Sequence, residues 1–189
     1  RRGDYLIDGG IHFLMGHRPG STIHDLYRQL GTAAPGTVID MTDYGRWLDE
    51  ASGSGVTLGA DLDLVSRELE RLSPADAPAV RGFVDGARAF AAAGAADMDM
   101  GAPPELAGRF DGATALWRMR RVLRYFGGSH GRTAGEFAAT LHDPTLARVF
   151  ESLFLPDAPM WFLYMLFGLL AGGQLGLLAR GCEGFVLPI

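Results

Sequence analysis

The sequence predicts an α+β fold, a small mixed β part followed by a mostly helical region, on three observations. Short apolar runs punctuated by glycine occupy residues 1–60. Stretches with a capping residue and apolar side chains every three to four positions begin near Asp61. A long uncharged run, Ala158 to Ala179, carries Gln174 as its one strongly polar side chain. The division that follows is residues 1–60 as the β-containing segment and residues 61–189 as the mainly helical one.

In the first segment, Tyr5 to Asp8 reads as a strand that ends at Gly9-Gly10. Ser21 or Thr22 then caps a helix through "IHDLYRQL", because a side-chain oxygen there can accept from an unpaired N–H of the first turn. Gly31 closes that helix as a left-handed terminator. "TVIDM" reads as a short strand, and "GRWLDEASGSGVTLGAD" as two strands around a Ser/Gly turn.

In the second segment, Asp61 caps "LDLVSRELERL", Pro74 breaks it, and "DAPAVRGFVDGARAFAAA" resumes with Val80, Phe83, Val84, Ala87 and Phe90 on one face. "GAADMDMGAPPELAG" reads as a loop. "ATALWRMRRVLRYF" reads as a helix ended by Gly127-Gly128. Thr133 and Glu136 have the spacing of a capping box, and Asp143-Pro144 that of a cap followed by proline in the first turn. Asp61 to Leu155 is therefore expected to be predominantly α-helical, and Met160 to Leu178 helical and buried. Residues 159–179 also have the length and apolarity of a bilayer span, so an integral membrane protein stands as an alternative.

Composition narrows the chemistry. At 189 residues and 48% hydrophobic the chain can bury a sizeable core. A net charge of −5 argues against a nucleic-acid partner. All 17 basic residues are arginine. Without lysine there is neither a Schiff-base lysine for a pyridoxal enzyme nor a P-loop lysine. The single cysteine, Cys182, excludes an internal disulfide and fits a reducing compartment, hence the cytoplasm. His12, His17 and His24 are separated by five and seven residues, which does not put them on one helix face; a metal-dependent hydrolase is the weaker reading and no metal is expected. "GSGVTLG" lacks the spacing of a phosphate-binding loop and reads as a hairpin turn. Arg118, Arg120, Arg121 and Arg124 form a basic flank, either a solvated face or one that rests on anionic lipid, which leaves a peripheral membrane association open.

The pattern "GDYLIDGGIHFLMGHRPGSTIHDLYRQLG" resembles a segment of FAD-dependent oxidoreductases of the phytoene desaturase and flavin amine oxidase superfamily, in which a strand ends in Asp-x-Gly and a helix ends in Leu-Gly. "LERLSPADAPAVRGFVDGA", "EFAATLHDPTLARVFESLF" and "GCEGFVLPI" continue the likeness, which is stronger to the phytoene desaturase-like branch. The resemblance implies that the small β part joins a Rossmann-like FAD domain in the full protein. It also implies that the helical region binds substrate and that the chain corresponds to a piece lacking the dinucleotide-binding motif.

The resemblance implies FAD as cofactor, with Gly9, Gly10, Ile11 and His12 as its neighbours, because a backbone without Cβ atoms can approach a flat ring closely. It implies hydride exchange between flavin and a small lipophilic substrate, a polyene of carotenoid or retinoid type, with flavin amine oxidation as the alternative. Trp161, Phe162, Tyr164, Met165 and Phe167 are then the expected substrate-lining side chains. No catalytic acid or base is assigned.

Overall fold

A computed structural model describes residues 13–31, 36–50, 52–92, 117, 120, 122–153 and 155–182. The fold is α+β, with helices predominating. The strand expected at Tyr5–Asp8 and the loop expected after Ala92 lie outside the described residues.

The β part has two pieces. Strands β1 (Leu14–Met15), β2 (Val38–Asp40) and β5 (Leu175–Cys182) form an antiparallel sheet in the order β1-β5-β2, with Leu14 opposite Gly176 and Ile39 opposite Leu177. Strands β3 (Asp43–Leu48) and β4 (Gly55–Gly59) form the expected hairpin, with a register irregularity between Asp43 and Gly45. Val56 and Leu58 on β4 point into the core. Helix α1 (Thr22–Gln29) begins where Ser21 Oγ accepts from the His24 N–H, and Gly31 beyond it has a φ of 71°.

Helix α2 (Leu62–Leu72) starts on the Asp61 carboxylate, which accepts from the N–H groups of Asp63 and Leu64. A single 3₁₀ turn at Pro74–Asp76 leads into α3 (Ala77–Ala92). Asp76 sits buried at that corner. It accepts from the Ser73 hydroxyl at 2.7 Å, from the backbone N–H of His142 at 2.9 Å and of Asp143 at 3.0 Å, and it meets the His142 ring at 2.8 Å. One carboxylate thus ties the α2–α3 corner to the turn at His142-Asp143. Burial pushes its pKa up, but these donors outweigh that and hold it well below the usual carboxylate range.

Helix α4 (Ala134–Ala138) has the full capping box of Thr133 and Glu136, and α5 (Pro144–Leu153) has Asp143 as its cap, accepting from the Thr145 and Leu146 N–H groups. Helix α6 (Met160–Ala171) follows. Phe83 of α3 meets Phe150 of α5 and Phe167 of α6 edge to face, both at 5.2 Å. Phe83, Phe90, Phe150 and Phe167 are fully buried, and each contributes roughly 1.5–3 kcal/mol by leaving water. Glycines permit the closest approach of α3 and α6: Gly86 lies against the Tyr164 ring and Gly168 against the backbone of Ala87 and Ala91.

Two expectations need correction. Met160 to Leu178 is helical only to Ala171; Gly173, with a φ of 66°, turns the chain, and Leu175 onward is β5. Apolar character alone did not distinguish a buried helix from a buried strand. The 12-residue helix rises about 18 Å, short of a bilayer core of about 30 Å. Among the described residues no helix is long and apolar enough to cross a membrane. The second correction is at Leu123–Phe126, expected as the end of an α-helix, which is a 3₁₀ turn closed at Gly127-Gly128.

Candidate functional site

Gly9, Gly10, Ile11 and His12 lie outside the described residues. The structure does describe the turn that follows them. Between β1 and α1, Ser21 is buried and its hydroxyl donates to the Gly16 carbonyl at 2.6 Å, which fixes a tight loop carrying His17 and Arg18. Both side chains reach Asp40 at the end of β2: His17 Nε2 lies 2.6 Å from Oδ1 and Arg18 donates to Oδ2 at 2.5 Å. The Arg18 hydrogen bond first, then His17, lowers the Asp40 pKa to about 2. With that carboxyl ionised, His17 carries its proton on Nε2. Its Nδ1 is buried and has no hydrogen-bond partner among the described residues.

Glycines on the far side make this clip possible. A Cβ on Gly173 would stand 2.7 Å from an Arg18 guanidinium nitrogen, and one on Gly176 would stand 3.0 Å from His17 Nδ1. His24 Nδ1 lies 2.7 Å from the His17 carbonyl oxygen. Among the described residues no group of three or more His, Cys, Asp or Glu side chains could hold a metal ion.

The five expected substrate-lining residues all fall on α6, but not on one face of it. Trp161 and Phe162 are half-buried; Tyr164, Met165 and Phe167 are buried in the core. Side chains from Leu163 to Leu170 are covered all round, as in a helix enclosed by protein. Tyr164 packs between Phe83 at 5.9 Å, Phe90 at 6.5 Å and Tyr125 at 5.5 Å.

Tyr164 is also the polar centre of this apolar cluster. Its Oη lies 3.2 Å from His130 Nδ1, and the Tyr125 ring meets the His130 ring at a tilt of 59°, with 4.9 Å between their centres. Burial pushes the Tyr164 pKa up to about 12. Burial foremost, then the charges of Arg132 and Arg124, pushes His130 down. Near neutral pH Tyr164 keeps its proton, and the hydrogen bond between Oη and Nδ1 runs in the direction that the imidazole tautomer sets.

Sequence reasoning did not single out Arg18, Asp40, Tyr125 or His130. Asp40 had one signal, an acid closing the "TVID" strand; His130 lay in a glycine-rich stretch that suggested only a turn. Two neighbouring grooves lie elsewhere, against β3 and α5. One of about 400 Å³ is lined by Trp47, Leu48, Asp49, Arg148, Glu151 and Ser152. One of about 160 Å³ is lined by Tyr44, Gly45, Arg46, Trp47, Leu58 and Ser152. Neither is lined by α6. Comparison with protein-family models, with curated proteins and with solved structures finds no match for this chain.

Proposed function

We propose that this chain is part of an FAD-dependent oxidoreductase that moves a hydride between flavin and a small lipophilic substrate of the polyene class. The supporting observation is the pairing of β5 with both β1 and β2. The chain leaves a sheet after β2, builds its helical layer, and returns to the centre of the same sheet. That is the arrangement expected of a substrate-binding region inserted into a cofactor-binding framework, and it agrees with the resemblance in residues 3–31. An interior rich in phenylalanine, leucine and methionine suits an apolar substrate.

The dinucleotide half of FAD does not fit the residues of this chain. A Gly-x-Gly-x-x-Gly turn between a strand and a helix is the usual cradle for its pyrophosphate, and the sequence has none. In this reading that half is held by other parts of the full protein, while Gly9, Gly10, Ile11 and His12 face the ring system. The cofactor supplies hydride exchange when bound. The chain's own residues position the substrate and exclude water from it, with the hydrogen-bonded Tyr164–His130 pair as the polar group of the apolar cluster. The working compartment is the cytoplasm.

Anaerobic mixing of the full-length, flavin-loaded protein with polyenes tests this. Bleaching of the flavin absorbance by a saturated-to-unsaturated polyene couple is expected. Bleaching by primary amines instead would support flavin amine oxidation, and bleaching by neither class would overturn the proposal.

A further inference from the structure

The side chain of His17 is 7% exposed, although Asp40, the carboxylate it meets, is half exposed. Nε2 is taken up by Asp40 Oδ1, while Arg18 holds the other carboxylate oxygen. The remaining titratable neighbour, His24 of α1, turns its Nδ1 to the His17 carbonyl oxygen and not to the ring. Nδ1 of His17 has no partner among the described residues. Bare backbone of β5 lies beside it: a Cβ on Gly176 would stand 3.0 Å from Nδ1 and 3.1 Å from Cε1. Gln174 Oε1 is a second buried atom without a partner, in the residue whose backbone carbonyl accepts from the Gly16 N–H at 2.8 Å. Buried polar atoms are nearly always paired, so two unpaired ones on adjoining strands point to a site with work to do. The place is a junction. His17 follows His12, the last of the expected flavin neighbours, by five residues. Across from it, Gly172 and Gly173 end α6, which carries the expected substrate-lining side chains, and Gly173 backs onto the Arg18 guanidinium.

We propose that His17 exchanges the substrate's proton through Nδ1, with Asp40 and Arg18 as its positioning residues. The inference rests on the proposed function and supplies what that reading lacks. Making a C=C bond from a saturated C–C bond removes two hydrogens. One leaves with its bonding pair as hydride, for which the proposed cofactor is the acceptor. The other leaves as a proton, and its electron pair becomes the π bond. In an apolar interior that proton needs a protein acceptor, and an imidazole nitrogen is the usual one near neutral pH. Nδ1 takes the proton in desaturation and returns it in saturation. Nε2 keeps its own proton on Asp40 in both directions, so the carboxylate fixes the ring and stabilises the imidazolium that forms. Arg18 keeps that carboxylate in place from the other side.

Two measurements on the full-length, flavin-loaded protein test this. His17→Gln keeps an N–H for Asp40 but has no atom that takes and returns a proton. Mixed anaerobically with the polyene couple, it should bleach the flavin about 100-fold more slowly than wild type, with flavin content unchanged and the half-saturating polyene concentration within about threefold. Asp40→Asn, which leaves the imidazole in place, should lose rate in the same direction and by less. The second readout needs no turnover. Adding the unsaturated polyene to the oxidised protein should move the nitrogen chemical shift of His17 Nδ1 and leave that of Nε2, held by Asp40, in place. Wild type bleached by polyenes with His17→Gln equally fast, or an Nδ1 shift unmoved by polyene, overturns this step alone and leaves the redox proposal standing. A wild type that no polyene bleaches overturns the redox proposal and this step with it. If His17→Gln does not fold, the Asp40→Asn rate and the wild-type Nδ1 shift decide.

Discussion

Gly168 of α6 lies so close to Ala87 of α3 that a Cβ on the glycine would stand 2.8 Å from the Ala87 carbonyl oxygen. It would also meet the Ala91 nitrogen and the Phe90 Cβ, both at 2.9 Å. The clash is with backbone, which cannot swing aside. Gly168→Ala should therefore destabilise the fold by about 1–3 kcal/mol in urea denaturation. Gly82→Ala, in the same helix as Ala87 but facing open space, should be neutral or stabilise by up to about 1 kcal/mol. Equal effects at the two sites would contradict the packing described.

Asp76 links three chain segments through one buried carboxylate. Asp76→Ala should cost about 3 kcal/mol or more, because it leaves several donors unpaired in the interior. His142→Ala removes only the imidazole contact and leaves both backbone donors in place, so about 1 kcal/mol is expected. The pKa of Asp76 is lowered by folding, so its contribution is fully present above about pH 4 and is lost as pH falls below that. Between pH 5 and pH 3 the wild type should lose more stability than Asp76→Asn, measured by urea midpoint at each pH.

Much of this architecture was legible in the sequence, because local chemistry decides caps and turns. Ser21, Asp61, Thr133 with Glu136, and Asp143 cap the helices their spacing predicted. The hairpin turned where Ser/Gly residues allowed it. Long-range pairing was not legible. Leu175 to Cys182 became a strand because β1 and β2, far away in sequence, offered partners on both sides. The same holds at the candidate site: Asp40 acquires its role from Arg18, 22 residues away, and Tyr164 from His130, 34 residues away. Periodicity reports which face is buried and says nothing about which polar group waits there.

At the β1–α1 turn, Arg18 dominates the lowering of the Asp40 pKa. A titration followed by NMR should find the Asp40 carboxyl near 2, and Arg18→Gln should move it back toward the ordinary value of about 3.9. Because folding lowers this pKa, the clip is intact above about pH 4 and opens as the pH falls toward 2. Both residues are half exposed to solvent, so screening keeps the change in overall stability on losing the pair small. An Asp40 titration unmoved by Arg18→Gln would contradict the geometry.

Tyr164→Phe keeps the ring that fills the space beside Gly86 and deletes only the hydroxyl. It should cost about 1 kcal/mol, the worth of one hydrogen bond, whereas Tyr164→Ala should cost about 3–5 kcal/mol through the cavity it opens. The nitrogen chemical shifts of His130 supply the second readout. In the wild type the hydrogen bond to Tyr164 Oη should hold His130 in one tautomer, and Tyr164→Phe should remove that preference.

The most direct measurement of the central claim is the flavin content of the purified full-length protein, compared with that of Gly10→Val. The account predicts a bound, noncovalent FAD seen by its visible absorbance, reduced or lost when the valine side chain is introduced where the resemblance sets a bare backbone against the ring. It also predicts weak or undetectable FAD binding by the 189-residue chain alone, which lacks a pyrophosphate cradle. A colourless full-length protein, or a Gly10→Val variant with unchanged flavin content and turnover, would contradict it.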